Sequence, residues 1–431
     1  MRYSDLIVGV NTLVPVSNNR FTKYINFDNA ATTPPFKKVT EDILRFLPYY
    51  SSAHRGMGYK SQISTDIYEK GREKVLNFVK GDIQNSNVIY VKNATEGINK
   101  LSNMIYYKDP DKIILSTDME HHSNILPWRK FKMDFIRVDQ FGRLDMKDLE
   151  YKLRKYRGKV ALLAVTGASN VTGYKNPIYE IAFLCHKYGC KILVDGAQLI
   201  PHGNIDIKPI DSDYHIDYLV FSAHKMYAPF GGGALIGDKS SFKNIPPDYS
   251  GGGTVDVVVR DFVKWNETPL KDEAGTPNII GSLALTSSID VINTIGISNI
   301  EKYENSLLKY AYNKLLNVKE IELYIDNCDY NVSIIPFDVK GIYHETFAKI
   351  LSYEYGIGVR SGCFCAQPYI QKLLNVPLEQ SFNLIKNGNR RPGLIRLSFG
   401  LYNTFAEIDF FVEALQEILR NKEKLIRKFS Y

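Results

Sequence analysis

Two apolar runs, each ending in a polar cluster, most constrain what this chain can fold into. KILVDGAQLI covers Lys191 to Ile200, and DYLVFSAHKMYAPFGGGALIG covers Asp217 to Gly237. Both begin with a short β-branched segment of the kind that forms a strand buried on both faces of a parallel sheet. In open α/β sheets the carboxyl ends of such strands deliver side chains to a ligand. The two ends are therefore expected to share one site, with Asp195 and Gln198 at the first and Ser222, His224 and Lys225 at the second.

A buried carboxylate requires a cationic partner, and a lysine in a pocket can lose its proton and act as a nucleophile. Pyridoxal phosphate asks for both: a carboxylate that keeps its ring nitrogen protonated and a lysine that holds it covalently. Taken singly, Asp195 also reads as a strand-end cap and Lys225 as a solvated surface lysine. The glycine triplets at 231–233 and 251–253 permit close turns but have neither the spacing of a dinucleotide-binding loop nor that of a P-loop.

The flanking chain repeats strand, polar loop and helix. NVIYVKNATEGINKLSNMI places Thr95 and Glu96 at a helix start, where unpaired N–H groups and a hydroxyl can hold phosphate. IILSTDMEHHSNILPW is a strand ending in a loop; its His121 and His122 are adjacent rather than one turn apart, so no metal is expected. VALLAVTGASNVTG brings Asn170 to the end of a central strand, and PIYEIAFLCHKYG is a helix leading into the Asp195 strand. From about Asp290 the pattern changes to a long helix, short β runs at IELYI and YNVSIIPFDV, a helix around HETFAKILSYEYG and a final helix from Ala406 to Phe429. RSGCFCAQP reads as a glycine-bearing loop whose mobility would help a cysteine reach a substrate.

The expected architecture is α/β: an N-terminal segment (1–25) packing with the small domain, a large cofactor-binding domain (26–289) with a mixed, mostly parallel sheet, and a smaller α+β domain (290–431) carrying the Cys365 loop. A chain of 431 residues is long enough for two such domains. The net charge of +7 is scattered rather than gathered in a tail, so nucleic acid is not an expected partner. Five cysteines, Cys185, Cys190, Cys328, Cys363 and Cys365, form no framework of small disulfide loops. With no apolar stretch near the ~20 residues that cross a bilayer, no membrane is expected and a reducing cytoplasm is the simplest location.

Ten segments occur in an order that carries a resemblance: FDNAATT, SSAHRG, NATEGIN, MEHHSNILPW, SNVTG, DGAQ, SAHK, EAGTPN, RSGCFCAQP and IRLSFGLYNT. Together the chain resembles the class V aminotransferase family, specifically its group II cysteine desulfurases and selenocysteine lyases. The resemblance implies fold type I of the pyridoxal-phosphate-dependent transferases, a homodimer, L-cysteine or L-selenocysteine as substrate, and a sulfur-acceptor protein serving iron–sulfur clusters or related products. It implies that His121 stacks on the cofactor ring, that Gln198 and Asn170 reach its ring oxygen, with the Asn170 amide also serving the substrate carboxylate, and that Thr95, Ser222, His224 and, across a dimer interface, Thr276 contact phosphate. Ala30 and Ala31 would line the substrate site, Arg396 would clamp the substrate carboxylate with Arg360 as local support, Lys225 would carry the proton, and Cys365 would take the sulfur as a persulfide.

Two features depart from the family. Cys363 stands where the typical group has a histidine; a sulfur relay, a disulfide with Cys365 and an inert small residue all stay open. The stretch 369–394 lengthens the interval to Arg396 and could serve as wall, lid or docking surface. The Cys-x-Cys pair lacks the companion ligands that zinc requires. Selenocysteine lysis, another class V lyase or transferase activity, and a noncatalytic scaffold are the competing functions.

Overall fold

The structure, a computed structural model, describes residues 2–377, 379–380 and 391–429. Its centre is a seven-stranded sheet in the order Ser86–Val91, Gly233–Asp238, Tyr218–Ser222, Lys191–Asp195, Val160–Thr166, Ile113–Thr117 and Lys132–Ile136. The strands from Tyr218–Ser222 to Lys132–Ile136 pair in parallel, whereas Gly233–Asp238 runs antiparallel to both neighbours. Alternation explains the continuous apolar runs. Leu162, Ala164, Leu193, Val220 and Leu235 face a core shared with the helix Ala94–Lys108, while Leu163, Val165, Ile192, Val194, Leu219 and Phe221 face the opposite core. With both faces covered, the strands inside the sheet are buried along almost their whole length, the edge strand Lys132–Ile136 being the more open one, and the strand ends are left to serve a ligand.

The antiparallel strand needs its glycines. A Cβ on Gly233 would lie 2.6 Å from the Phe221 carbonyl, and one on Gly232 would lie 2.6 Å from the Gly281 carbonyl. Without them the chain after Lys225 could not turn back alongside Tyr218–Ser222.

A second sheet is antiparallel throughout, ordered Ile321–Leu323, Ile334–Val339, Leu394–Ser398 and Arg360–Gly362. Its core joins Ile335, Phe337, Ile395 and Leu397 to Leu307, Phe347 and Phe411 from three helices. The N-terminal hairpin Leu13–Val16 with Arg20–Lys23 lies beside the helix His344–Tyr355, with the Ser17 hydroxyl donating to Glu354.

Three elements differ from their sequence reading. The long helix around Asp290 is two, Ile279–Ile295 and Ile297–Leu316, bent by 78° at Gly296, whose φ of 85° no helix accommodates. The final helix breaks at Asn421 into Phe405–Arg420 and Lys422–Phe429, the first closed at its start by a Thr404–Glu407 capping box. RSGCFCAQP is no open loop: it is the strand Arg360–Gly362, a tight turn, and the start of the helix Gln367–Leu373. Of the 369–394 stretch, residues 378 and 381–390 lie outside the described residues. Among those described, no single helix is long and apolar enough to cross a membrane.

Candidate active site

The ends of the two opening strands do converge. Asp195, Gln198, Ser222, His224 and Lys225 line one cavity of about 300 Å³, together with Ala30, Ala31, Thr95, His121, Asn170, Arg360, Cys365 and Arg396. Asp195 is only 4% exposed; burial raises its pKa, while the Ala197 N–H at 3.0 Å and the nearby Lys225 charge oppose that rise. Lys225 has surface facing the cavity, yet its amine is deep enough that desolvation lowers its pKa to about 8, with Arg396 adding repulsion and Asp195 attraction. A substantial neutral fraction at physiological pH makes this lysine a competent nucleophile.

Around this pair the floor is built from helix and loop ends. Asn93 caps the helix Ala94–Lys108 by accepting from the Glu96 N–H, so Thr95 does not serve as the cap. The Ser222 hydroxyl accepts from the Ala94 N–H at 2.8 Å, and the hydroxyls of Thr95 and Ser123 meet at 2.7 Å. His121 Nδ1 accepts from the Ser123 N–H at 3.1 Å, which leaves the ring proton on Nε2. Burial, reinforced by the Lys225 charge, holds the His121 pKa near 3 and that of His224 near 4, so both rings are neutral.

The opposite wall is polar and cationic. Arg396, 3% exposed, donates from Nη1 to the Asn170 carbonyl at 2.7 Å and from Nη2 to Asp28 at 3.2 Å, with its guanidinium 5.0 Å from the Phe364 ring centroid. Burial lowers its pKa to about 10. Arg360 binds the other Asp28 oxygen at 2.9 Å. The Asn170 amide donates to the Phe364 carbonyl at 2.7 Å, and the Gln198 amide donates to the Ala30 carbonyl at 2.7 Å, so each supports the site's frame with the donor expected to face a ligand.

Two residues lie elsewhere. Glu96, whose carboxylate accepts from the Lys92 N–H, and the exposed Thr276 line a neighbouring cavity with Tyr68, Tyr90 and Glu273. Sequence reasoning missed Asp28, although it lies inside FDNAATT. The available signal was electrostatic, because two arginines placed at one pocket require an anion between them. It also missed Glu120, a fully buried acid that accepts from the Thr117 hydroxyl, the Asn124 amide and the Thr166 N–H at 2.6, 2.6 and 2.9 Å, with its pKa raised to about 8 by burial.

The model of the class V aminotransferases matches residues 25–411. The chain is similar to a cysteine desulfurase of Wigglesworthia glossinidia brevipalpis at 34% identity over 418 residues, 94% of each chain. It is also similar to a probable cysteine desulfurase of Synechocystis at 34% identity over 434 residues, 97% of each. The apo cysteine desulfurase from Thermococcus onnurineus superposes with a TM-score of 0.83 at 31% identity, covering 92% of this chain and 95% of that one. This chain belongs to the class V aminotransferase family, whose members depend on pyridoxal phosphate. The cavity fits that cofactor: a buried acid and a partly neutral lysine face one space, a helix start borders it, and two buried polar atoms there, Gln198 Oε1 and Arg396 Nε, have no protein partner.

Proposed function

We infer that the protein is a pyridoxal-phosphate-dependent cysteine desulfurase, converting L-cysteine to L-alanine and passing the sulfur through Cys365. The observation that carries this reading is the convergence of Lys225, Asp195, Arg396 and the exposed Cys365 thiol on one cavity. When bound, pyridoxal phosphate supplies the electron sink that makes the α-proton of an amino acid labile and its Cβ–S bond cleavable.

The protein's residues supply the rest. Lys225 would hold the cofactor and, once released, move the proton at Nζ; Asp195 would pair with the ring nitrogen, and His121 would cover the ring. The start of the helix Ala94–Lys108, Thr95, Ser222 and His224 would receive the phosphate. Arg396, fixed by Asp28 and the Asn170 carbonyl, would turn its free Nε toward the substrate carboxylate. As a thiolate, Cys365 would attack the substrate sulfur: the Sγ–S bond forms, the Cβ–S bond breaks, alanine departs and the sulfane sulfur stays on Cys365. A homodimer fits the placement of Thr276 and Glu96 on the cavity beside the site, a sulfur-acceptor protein would then take the sulfane sulfur for iron–sulfur assembly, and the cytoplasm is the compartment that five free cysteines suit.

The test is incubation of cofactor-loaded protein with L-cysteine and a thiol reductant, with alanine and sulfide measured in parallel. Equimolar products are expected from the parent and a loss of on the order of 10³-fold from Cys365→Ala. Turnover of L-selenocysteine but not L-cysteine would reassign the substrate, and sulfide release by Cys365→Ala at the parental rate would remove the thiol from the mechanism.

A further inference from the structure

Cys365 sits in a turn whose shape is imposed on it. Phe364 and Cys365 have φ values of 50° and 54°, and the Ala366 N–H donates back to the Cys363 carbonyl at 2.8 Å. Turns with two left-handed central residues draw on Gly, Asn or Asp, because a Cβ there crowds the following carbonyl oxygen. Such a conformation persists only where its surroundings over-determine it.

Three contacts from outside the turn do so. One is the Asn170 amide on the Phe364 carbonyl. The other two come from one residue: the His122 N–H donates to the Cys365 carbonyl at 2.6 Å, and His122 Nε2 accepts from the Gln367 N–H at 3.1 Å. Gln367 opens the helix Gln367–Leu373, whose first N–H groups have no acceptor within the helix. To accept that bond the imidazole must leave Nε2 unprotonated, and burial, aided by Arg129, lowers the His122 pKa in support. His122 is not part of the cavity lining, so it reaches the reaction only through the turn.

We propose that His122 is a positioning residue for the sulfur-accepting thiol: its backbone and imidazole bracket the segment from the Cys365 carbonyl to the Gln367 N–H and hold the left-handed turn that carries the thiol into the Lys225 cavity. This rests on the reading of Cys365 as sulfur acceptor. The bracket is itself anchored, because the preceding residue but one, Glu120, fastens the same loop to the strands Ile113–Thr117 and Val160–Thr166. His121 faces the cavity and His122 the backbone of the turn that bears the thiol, so one short loop serves both walls.

Cofactor-loaded His122→Gln, which keeps an acceptor oxygen, is compared with His122→Leu, which keeps bulk without one. With L-cysteine and a reductant, the Leu variant is expected to lose about 10- to 100-fold in kcat, with KM within about threefold of the parent. The Gln variant should recover to within about threefold of the parental kcat. In the absence of substrate, the alkylation rate of Cys365 by iodoacetamide, followed by peptide mass, should rise in the Leu variant alone, while the cofactor absorption band is the same in all three. Equal kcat and equal alkylation in the Gln and Leu variants, at whatever level, overturns the proposal. Where the Leu chain does not fold, His122→Ala is read by the same criteria. Cys365→Ala separates the two claims: its sulfide release at the parental rate sinks the sulfur-acceptor reading, whereas an inactive Cys365→Ala beside a fully active His122→Leu sinks the positioning role alone.

Discussion

The two walls of the cavity are built by opposite means. Asp195 ends one buried strand and Lys225 closes the short turn Ala223–Lys225 that follows its parallel neighbour, the two strands being paired in register from Leu193 with Tyr218 to Asp195 with Val220. The register of the sheet brings them to one end of it. Cys365 stands exposed on a turn in an unfavourable backbone conformation, held by two hydrogen bonds of His122 and one from Asn170. The Asp195–Lys225 side is thus preorganised by the core, and the Cys365 side by clamps. Substitutions far from the chemistry should damage the second wall before the first.

Glu120→Ala probes that asymmetry most severely. It strands the Thr117 hydroxyl, the Asn124 amide and the Thr166 N–H inside the protein, and about 3 kcal/mol of stability should be lost, visible as a lower urea midpoint. At native temperature the variant should still capture pyridoxal phosphate on Lys225, seen by absorbance, while sulfide release falls. Loss of capture with sulfur chemistry intact would invert the comparison.

Asp28→Asn acts on the cationic wall, where one carboxylate serves both Arg360 and Arg396. Removing that charge leaves the buried Arg396 without a counter-ion, and KM for L-cysteine should rise by about tenfold with a smaller change in kcat. An unchanged KM would mean that the Asn170 carbonyl and the Phe364 ring alone orient the guanidinium.

The mildest test is titration of the preorganised wall. The neutral amine is the nucleophile, and the Lys225 pKa is lowered to about 8 by burial. Capture of pyridoxal phosphate by the apo-protein, timed by stopped-flow absorbance, should accelerate as pH rises toward 8 and gain no more than about twofold beyond it. A rate that keeps climbing toward pH 10 would place Lys225 in water rather than in the wall.

Much of the preorganised wall was legible in the chain, for a physical reason. Continuous β-branched runs ending in Asp195 and Lys225 admit few folds other than buried strands, and Gly232 and Gly233 mark the close approach that follows. The clamped wall was not, because its geometry contradicts local preference. Nothing about Phe364 and Cys365 announces a left-handed turn, and glycine at those positions would have. His122 works partly through its backbone N–H, which carries no residue-specific signature, and its ring bonds a helix start 245 positions away. Asn421 was read through as helix because the apolar periodicity continues across it into Leu425 and Ile426, both packed on the second core.

The chain passes between its two cores beside the arginines. Phe27 belongs to the second core and Ala30 to the first; Phe399 and Leu401 make the same passage in the same direction, joined by a parallel bridge between Asp28 and Ser398. The two crossings are laced together by the Asn29 amide on the Ser398 carbonyl at 2.9 Å and by the Ser398 hydroxyl, which accepts from the Ala30 N–H at 2.9 Å. Asp28 and Arg396 therefore stand close to the fulcrum about which one core would rock against the other. Points near a pivot sweep the shortest arcs, so the ion pair of Asp28 with Arg396 would keep its geometry under such rocking.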